Sequence, residues 1–226
     1  MNLTLFDLDG TLLEFDSDHA FGEFMVAIDW VDADAFKRRN DAFYEDYQAA
    51  RLDIEAYIDF ATAPWRERTP AQVQAMRQRF MREIVQPGLD ERAIALVRRH
   101  QAAGDLLAIV TATNEFVTRP IADAFGVAEL IAVELVRDDN RRVTGAVQGV
   151  ASFREGKIVR VEQWLAGQGR RRADFERITV YSDSTNDLPL LEWATHPVAT
   201  NPGPALAVIA CERGWPVLNL FTEEGT

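Results

Sequence analysis

One cysteine in 226 residues, Cys211, leaves no possibility of an intramolecular disulfide and fits a reducing compartment. No apolar stretch approaches the ~20 residues that a membrane span requires. The opening Met1-Asn2-Leu3-Thr4-Leu5-Phe6-Asp7 has no basic region, and its apolar run is too short for a signal peptide, so a cytoplasmic protein is expected. His19, His100 and His196 lack metal-ligand spacing, which argues against zinc. Basic charge is also scarce. Thirty-six acids against 24 bases give a formal charge of −12, which repels a phosphate backbone or an anionic membrane, so neither nucleic acid nor membrane is expected as a partner. Within those bases lysine is rare, with only Lys37 and Lys157. Low-complexity tracts, heptads and internal repeats are missing, which excludes a solenoid or a disordered chain. Composition leaves the oligomeric state open.

What is present is a globular balance, 47% hydrophobic and 27% charged, in a chain long enough for one ordinary domain plus a substantial insertion. Short apolar runs ending in polar or small residues predict buried parallel strands at Leu3 to Asp7, Leu106 to Thr111, Ile178 to Ser182 and Pro197 to Thr200, with Trp215 to Leu220 closing an edge. Helical patterns from Glu91 to Ala103 and from Pro204 to Arg213 stop at Gly104 and Gly214. This alternation predicts an α/β fold, a doubly wound parallel sheet whose ligands sit beyond the carboxyl ends of the strands where strand order reverses. Residues 16–86 interrupt it with helical pattern alone, where Asp53 and Thr69 read as N-caps and Pro70 as a first helical residue. About seventy residues exceed the need of one crossover, so a helical cap domain over 16–86 is expected, inserted in a core of 1–15 and 87–226. Ala132 to Val136 and Val143 to Val147, around Asp138-Asp139-Asn140, predict a peripheral hairpin.

The sharpest motif is Phe6-Asp7-Leu8-Asp9-Gly10-Thr11-Leu12, a strand running into two carboxylates one residue apart. Strand alternation sends such side chains to opposite faces, but a turn at Gly10 can bring both to one site. One carboxylate can attack phosphorus, and the other can protonate the leaving oxygen and later deprotonate water. A calcium loop fits poorly, because Thr11, Leu13 and Asp18 stand where that loop needs oxygen ligands and a glutamate. Thr111, with Ala112 after it, ends the second strand before a helix whose free N–H groups favour an anion. Pro120 is expected to kink that helix or restart it after Thr118. Lys157 opens the helical pattern Ile158 to Leu165, and a compact ammonium suits a phosphoryl group. Ser182-Asp183-Ser184-Thr185-Asn186-Asp187 closes the third long strand with two acids four apart. Hard magnesium prefers such carboxylates, with Asp7 and Asp183 as direct ligands, Asp187 behind them and Asn186 touching substrate or Lys157.

In that order the motifs resemble those of the haloacid dehalogenase superfamily, and the insertion after the first motif is similar to the cap of its phosphoserine-phosphatase-like branch. The resemblance implies Asp7 as nucleophile, Asp9 as general acid/base and Thr111, Ala112 and Lys157 on the phosphate. It further implies Mg2+ held by Asp7, the Asp9 backbone carbonyl and Asp183. An aspartate two residues after the nucleophile points to phosphatase chemistry rather than dehalogenation or ion pumping. The expected substrate is a small phosphomonoester, and the acidic entrance of Glu14, Asp16 and Asp18 favours an amine or amino alcohol such as phosphoserine or histidinol phosphate. Asp16 matches the acid that meets the substrate amine in phosphoserine phosphatases, and reads equally well as an acidic helix start. Arg51 is a candidate for a substrate carboxylate, but the cap arginine of phosphoserine phosphatases is not matched here, a departure that weakens phosphoserine and leaves histidinol phosphate or another small amine phosphate an equal contender. A phosphotransferase, or a ligand-binding protein on the same fold, stays open.

Overall fold

The computed structural model describes residues 1–66 and 68–221. A six-stranded sheet is built from β1 (Asn2–Phe6), β2 (Leu106–Asn114), β3 (Leu130–Val133), β6 (Arg177–Ser182), β7 (His196–Thr200) and β8 (Val217–Leu218), in the order β3-β2-β1-β6-β7-β8 with every pairing parallel. Each strand is short and apolar because both faces are covered, and alternation divides the side chains between them. Leu3, Leu5, Ala108, Val110, Ile178 and Val180 face α7 (Glu155–Gly167), α8 (Leu188–Trp193) and α9 (Pro204–Arg213). Phe6, Ile109 and Tyr181 face α5 (Glu91–Ala102) and α6 (Glu115–Ala124). The chain winds outward from β1 through β2 to β3, then returns to β6 on the other side of β1. That reversal makes the carboxyl ends of β2, β1 and β6 the ligand-binding edge.

Between β1 and β2 lie α1 (Ser17–Ala27), α2 (Ala33–Gln48), α3 (Ile54–Arg66) and α4 (Pro70–Phe80), followed by a π turn over Met81–Val85. Asp53 accepts the N–H groups of Glu55 and Ala56, and Thr69 forms a reciprocal capping box with Gln72 ahead of Pro70. Phe21, Phe24, Met25, Ile58, Trp65, Met76 and Phe80 are buried continuously with the Phe6 face of the sheet.

Three expectations need correction. The predicted hairpin divides: Leu130–Val133 joins the main sheet beside β2, and only β4 (Leu135–Arg137) pairs antiparallel with β5 (Val143–Val147). The pair forms a separate two-stranded sheet that meets the insertion, where Arg66 of α3 donates to the Thr144 carbonyl at 3.1 Å. Pro120 does not restart α6, which is one helix from Glu115 to Ala124. The Phe116 carbonyl that proline leaves without its helical partner accepts from Arg77 at 3.0 Å instead. Finally, the edge strand predicted from Trp215 to Leu220 reduces to Val217–Leu218, where Asn201 Oδ1 takes the Leu220 N–H.

Candidate active site

The Asp7 N–H donates to the Tyr181 carbonyl at 2.9 Å, carrying the β1–β6 ladder one residue past the strand and holding the buried Asp7 side chain at the sheet edge. A tight turn follows, in which the N–H groups of Thr11, Leu12 and Leu13 converge on the Leu8 carbonyl. Gly10 makes it possible: its φ is +72°, and a Cβ there would stand 2.4 Å from Asp183 Oδ2. The turn aims Asp9 at β2. Its Oδ1 accepts the Ser17 N–H at 2.7 Å, and its Oδ2 accepts from the hydroxyls of Thr113 at 2.9 Å and Thr111 at 3.4 Å. Thr11 joins the remaining acids. Its hydroxyl lies 3.2 Å from Asp183 Oδ1 and 3.4 Å from Asp7 Oδ2, and accepts the Asp183 N–H at 3.1 Å.

Lys157, in the first turn of α7, is 1% exposed. Its ammonium donates to Asp7 Oδ1 at 2.8 Å and to Asp187 at 2.7 Å, while the Ser182 hydroxyl donates to Asp187 Oδ2 at 2.9 Å. Burial opposes the Lys157 charge, but Asp187 and Asp7 outweigh it and leave the ammonium harder to deprotonate than usual. One cation does not balance the acids around it. Burial, opposed by Lys157 and reinforced by Asp187, pushes Asp7 up to about 7. Asp9 is raised to about 6 by burial and Asp16, with the Ser17 contacts opposing. Asp183 is lifted well above the carboxylate range by burial and by Asp7 and Asp187.

On the opposite side, the helical insertion closes a narrow cleft over Asp7, Asp9, Thr111, Ala112 and Thr113. The insertion's aromatic residues divide here. Phe21, Phe24 and Trp65 fill the core, while Phe43, Tyr44, Tyr47 and Tyr57 line the cleft together with Asp16, Asp18, His19 and Asn40. Asp16 both caps α1, its Oδ1 accepting from the N–H groups of Asp18 and His19, and faces the cleft, so the two sequence readings of it coexist. Glu14 lines an adjoining opening with Asp183 and Asp16.

Two sequence-predicted site residues lie elsewhere. Arg51 follows the end of α2, after Ala50 at a φ of +54°. That turn sends its side chain into solvent, where it pairs with Asp46 at 3.0 Å and lines neither opening. Asn186 contacts neither Lys157 nor the cleft; its Nδ2 donates to the Tyr47 carbonyl at 2.9 Å and its Oδ1 accepts from Arg154 Nε at 3.3 Å. Arg154, at a φ of +50°, also donates to the Ala50 carbonyl, so the loops ahead of α7 and α8 fasten the end of α2. Arg154 and Thr113 went unread in the sequence; Thr113, two residues beyond Thr111 on one strand face, was within reach of an alternation argument. His19 Nε2, Glu23 and Asp41 bring three ligand atoms within 4.8 Å despite their sequence separation, the one such group among the described residues. Lys37 already occupies that group, 2.8 Å from Glu23 and 3.7 Å from Asp41.

Comparison with known proteins agrees with this geometry. A family model described as haloacid dehalogenase-like hydrolase matches residues 4–192. A histidinol-phosphatase of Neisseria meningitidis is 40% identical over 218 residues, covering 96% of this chain and 98% of the relative. A phosphoserine phosphatase of Mycobacterium tuberculosis is 27% identical over 94% of this chain and 68% of its own. A crystal structure of a protein of unknown function from Bordetella pertussis superposes with a TM-score of 0.92 at 48% identity, covering 97% of this chain and 99% of that one. A substrate-bound phosphoserine phosphatase shares the fold at a TM-score of 0.67 and 16% identity, covering 96% of this chain and 91% of that one. With most of its length matched by the family model and nearly all of it by the Neisseria phosphatase, the chain belongs to the haloacid dehalogenase-like hydrolases and is a phosphatase.

Proposed function

We propose that the chain hydrolyses a small, nitrogen-bearing phosphomonoester through an aspartyl-phosphate on Asp7. The observation that carries this reading is the convergence of Asp7, Asp9, Thr111 and Asp183 from three adjacent strand ends on one edge, with Lys157 of α7 buried against Asp7 behind them. The Asp7 carboxylate attacks phosphorus as the ester P–O bond breaks, and Asp9 gives its proton to the leaving alkoxide. Asp9 then takes a proton from the water that attacks the aspartyl-phosphate, releasing phosphate and restoring Asp7. A group held near 6 suits both directions of transfer at neutral pH. Lys157 lies against Asp7 and offsets charge on the phosphoryl oxygens, while Thr111 and the Ala112 backbone bind them.

The donor set fits Mg2+: hard oxygens of Asp7 and Asp183 share the Thr11 hydroxyl, and burial, with the like charge of Asp187 beside them, makes both carboxylates costly to ionise without a second cation. Asp7, the Asp9 carbonyl and Asp183 would hold the ion, with Asp187 behind them bonded to Lys157. Bound there, it would keep Asp7 ionised and draw charge from the phosphoryl group.

The insertion, residues 16–86, acts as the cap and sets the substrate. No arginine or lysine is among the described residues lining the cleft, while Asp16 and Asp18 do line it. A substrate carboxylate would face two acids without a partner, which disfavours phosphoserine. Acids and aromatic rings favour an ammonium or imidazole, as in histidinol phosphate, the substrate in the Neisseria relative's name. The test is phosphate release, with and without Mg2+, from histidinol phosphate, phosphoethanolamine, phosphoserine, sugar phosphates and nucleotides. Magnesium-dependent release strongest from a nitrogen-bearing phosphate without a carboxylate is expected; preference for phosphoserine or for a sugar phosphate would overturn the reading.

A further inference from the structure

Asp18 sits in the first turn of α1, is 6% exposed and lines the cleft. Its Oδ1 receives a long contact from Asn114 Nδ2, at 3.5 Å, the Tyr57 hydroxyl of the cleft wall stands near the carboxylate, and its Oδ2 makes no hydrogen bond of normal geometry. The attraction of a helix start for an acid is small against the desolvation of a buried carboxylate, so fold stability does not account for this residue. Its neighbours make matters worse for it. Asp16 and Asp9 add like charge, and only the Tyr57 hydroxyl opposes them. An orphaned acceptor in a buried, aromatic-walled site is a place for a donor that arrives from outside.

We propose that Asp18 is the specificity-determining residue of the cleft, its unpaired Oδ2 accepting an N–H from the nitrogen-bearing group of the substrate. Asp16 differs, because its Oδ1 is occupied by two backbone N–H groups and it stands nearer the catalytic loop in sequence. With two cleft carboxylates, the site takes a phosphomonoester carrying two separate N–H donors, one for each acid, between the rings of Tyr44 and Tyr57. This rests on the nitrogen-bearing phosphomonoester reading above.

The experiment compares wild type with Asp18→Asn on histidinol phosphate, which carries an amine and an imidazole, on phosphoethanolamine, which carries an amine alone, and on p-nitrophenyl phosphate, which carries neither. Loss of one charge-assisted hydrogen bond predicts that the preference for histidinol phosphate over p-nitrophenyl phosphate, as a ratio of kcat/KM, falls about 10- to 100-fold, chiefly through KM. Asp18→Ser repeats the test with a smaller neutral side chain, and turnover of p-nitrophenyl phosphate reports that each variant folds. An unchanged ratio in both folded variants overturns the role of Asp18 while leaving the substrate reading intact. A wild-type enzyme that turns over p-nitrophenyl phosphate and neither nitrogen-bearing ester overturns the substrate reading first, and the proposal with it. An equal fall with phosphoethanolamine assigns the ammonium to Asp18; a fall confined to histidinol phosphate assigns the imidazole.

Discussion

Replacing Lys157 by methionine keeps the length of the side chain and removes the ammonium that lies 2.8 Å from Asp7 and 2.7 Å from Asp187. All three side chains are almost wholly buried, so the two carboxylates are left facing each other without their cation. Breaking a buried ion pair from one side costs about 3–5 kcal/mol, a large share of the roughly 5–15 kcal/mol that holds an ordinary domain together. The loss is pH-dependent with a definite sign. Lys157 lowers Asp7, so its removal raises the folded pKa of Asp7 further above the unfolded 3.8. An acid raised in this way costs the fold stability progressively as pH rises from its unfolded pKa to its folded one; the penalty is complete above the folded value and fades as pH falls back between the two. Urea titrations of metal-free protein at pH 8 and pH 5.5 should show a deficit near the full cost at the higher pH and a smaller one at the lower. Adding Asp187→Asn to Lys157→Met should restore part of the stability at pH 8 but none of the activity. A deficit below about 1 kcal/mol at pH 8, or one equal at both pH values, would refute the reasoning.

Metal-free wild type should itself lose stability as pH rises from about 4 to about 7, because Asp7 is raised from 3.8 to about 7 and Asp9 to about 6 on folding. Magnesium binds the deprotonated carboxylates, so it should raise the melting temperature more at pH 8 than at pH 5; a shift independent of pH in differential scanning fluorimetry would count against this. Gly10→Ala places a methyl group 2.4 Å from Asp183 Oδ2 on a left-handed backbone, and should cost at least about 1 kcal/mol in urea and weaken magnesium activation of phosphate release. Asp9→Asn should abolish turnover with the melting temperature kept or raised, and normal turnover would remove Asp9 from the mechanism. Arg51→Ala breaks only an exposed pair with Asp46 and should leave KM within about twofold; a tenfold rise would show that Arg51 reaches the substrate after all.

The parallel strands, the capping residues Asp53 and Thr69 and the helices stopped by Gly104 and Gly214 were legible because each depends on residues within a few positions of one another. Four motifs in order pointed to Asp7, Asp9, Lys157 and Asp183, and the fold brings these side chains together, the acids from strand ends at the switch point and Lys157 from α7. The divided hairpin was not legible, because an apolar run does not tell which of two sheets it will join. The partner of the carbonyl that Pro120 frees in α6 is Arg77, 39 positions before that carbonyl, which no local pattern could indicate.

Within the site, local sequence determined which carboxylates stand at the strand ends, and the Gly10 turn that joins them. Only the tertiary structure decided their company. Lys157 reaches Asp7 across 150 residues, Thr113 reaches Asp9 across 104, and Asn186 is taken from the substrate by the Tyr47 carbonyl. The orphaned oxygen of Asp18 belongs to the same class, because an acid in a helix's first turn looks alike in sequence whether water or a closed aromatic wall lies beyond it. Covalent order and backbone geometry act over a few residues, whereas desolvation and Coulomb interaction act through space, on whatever the packing brings near.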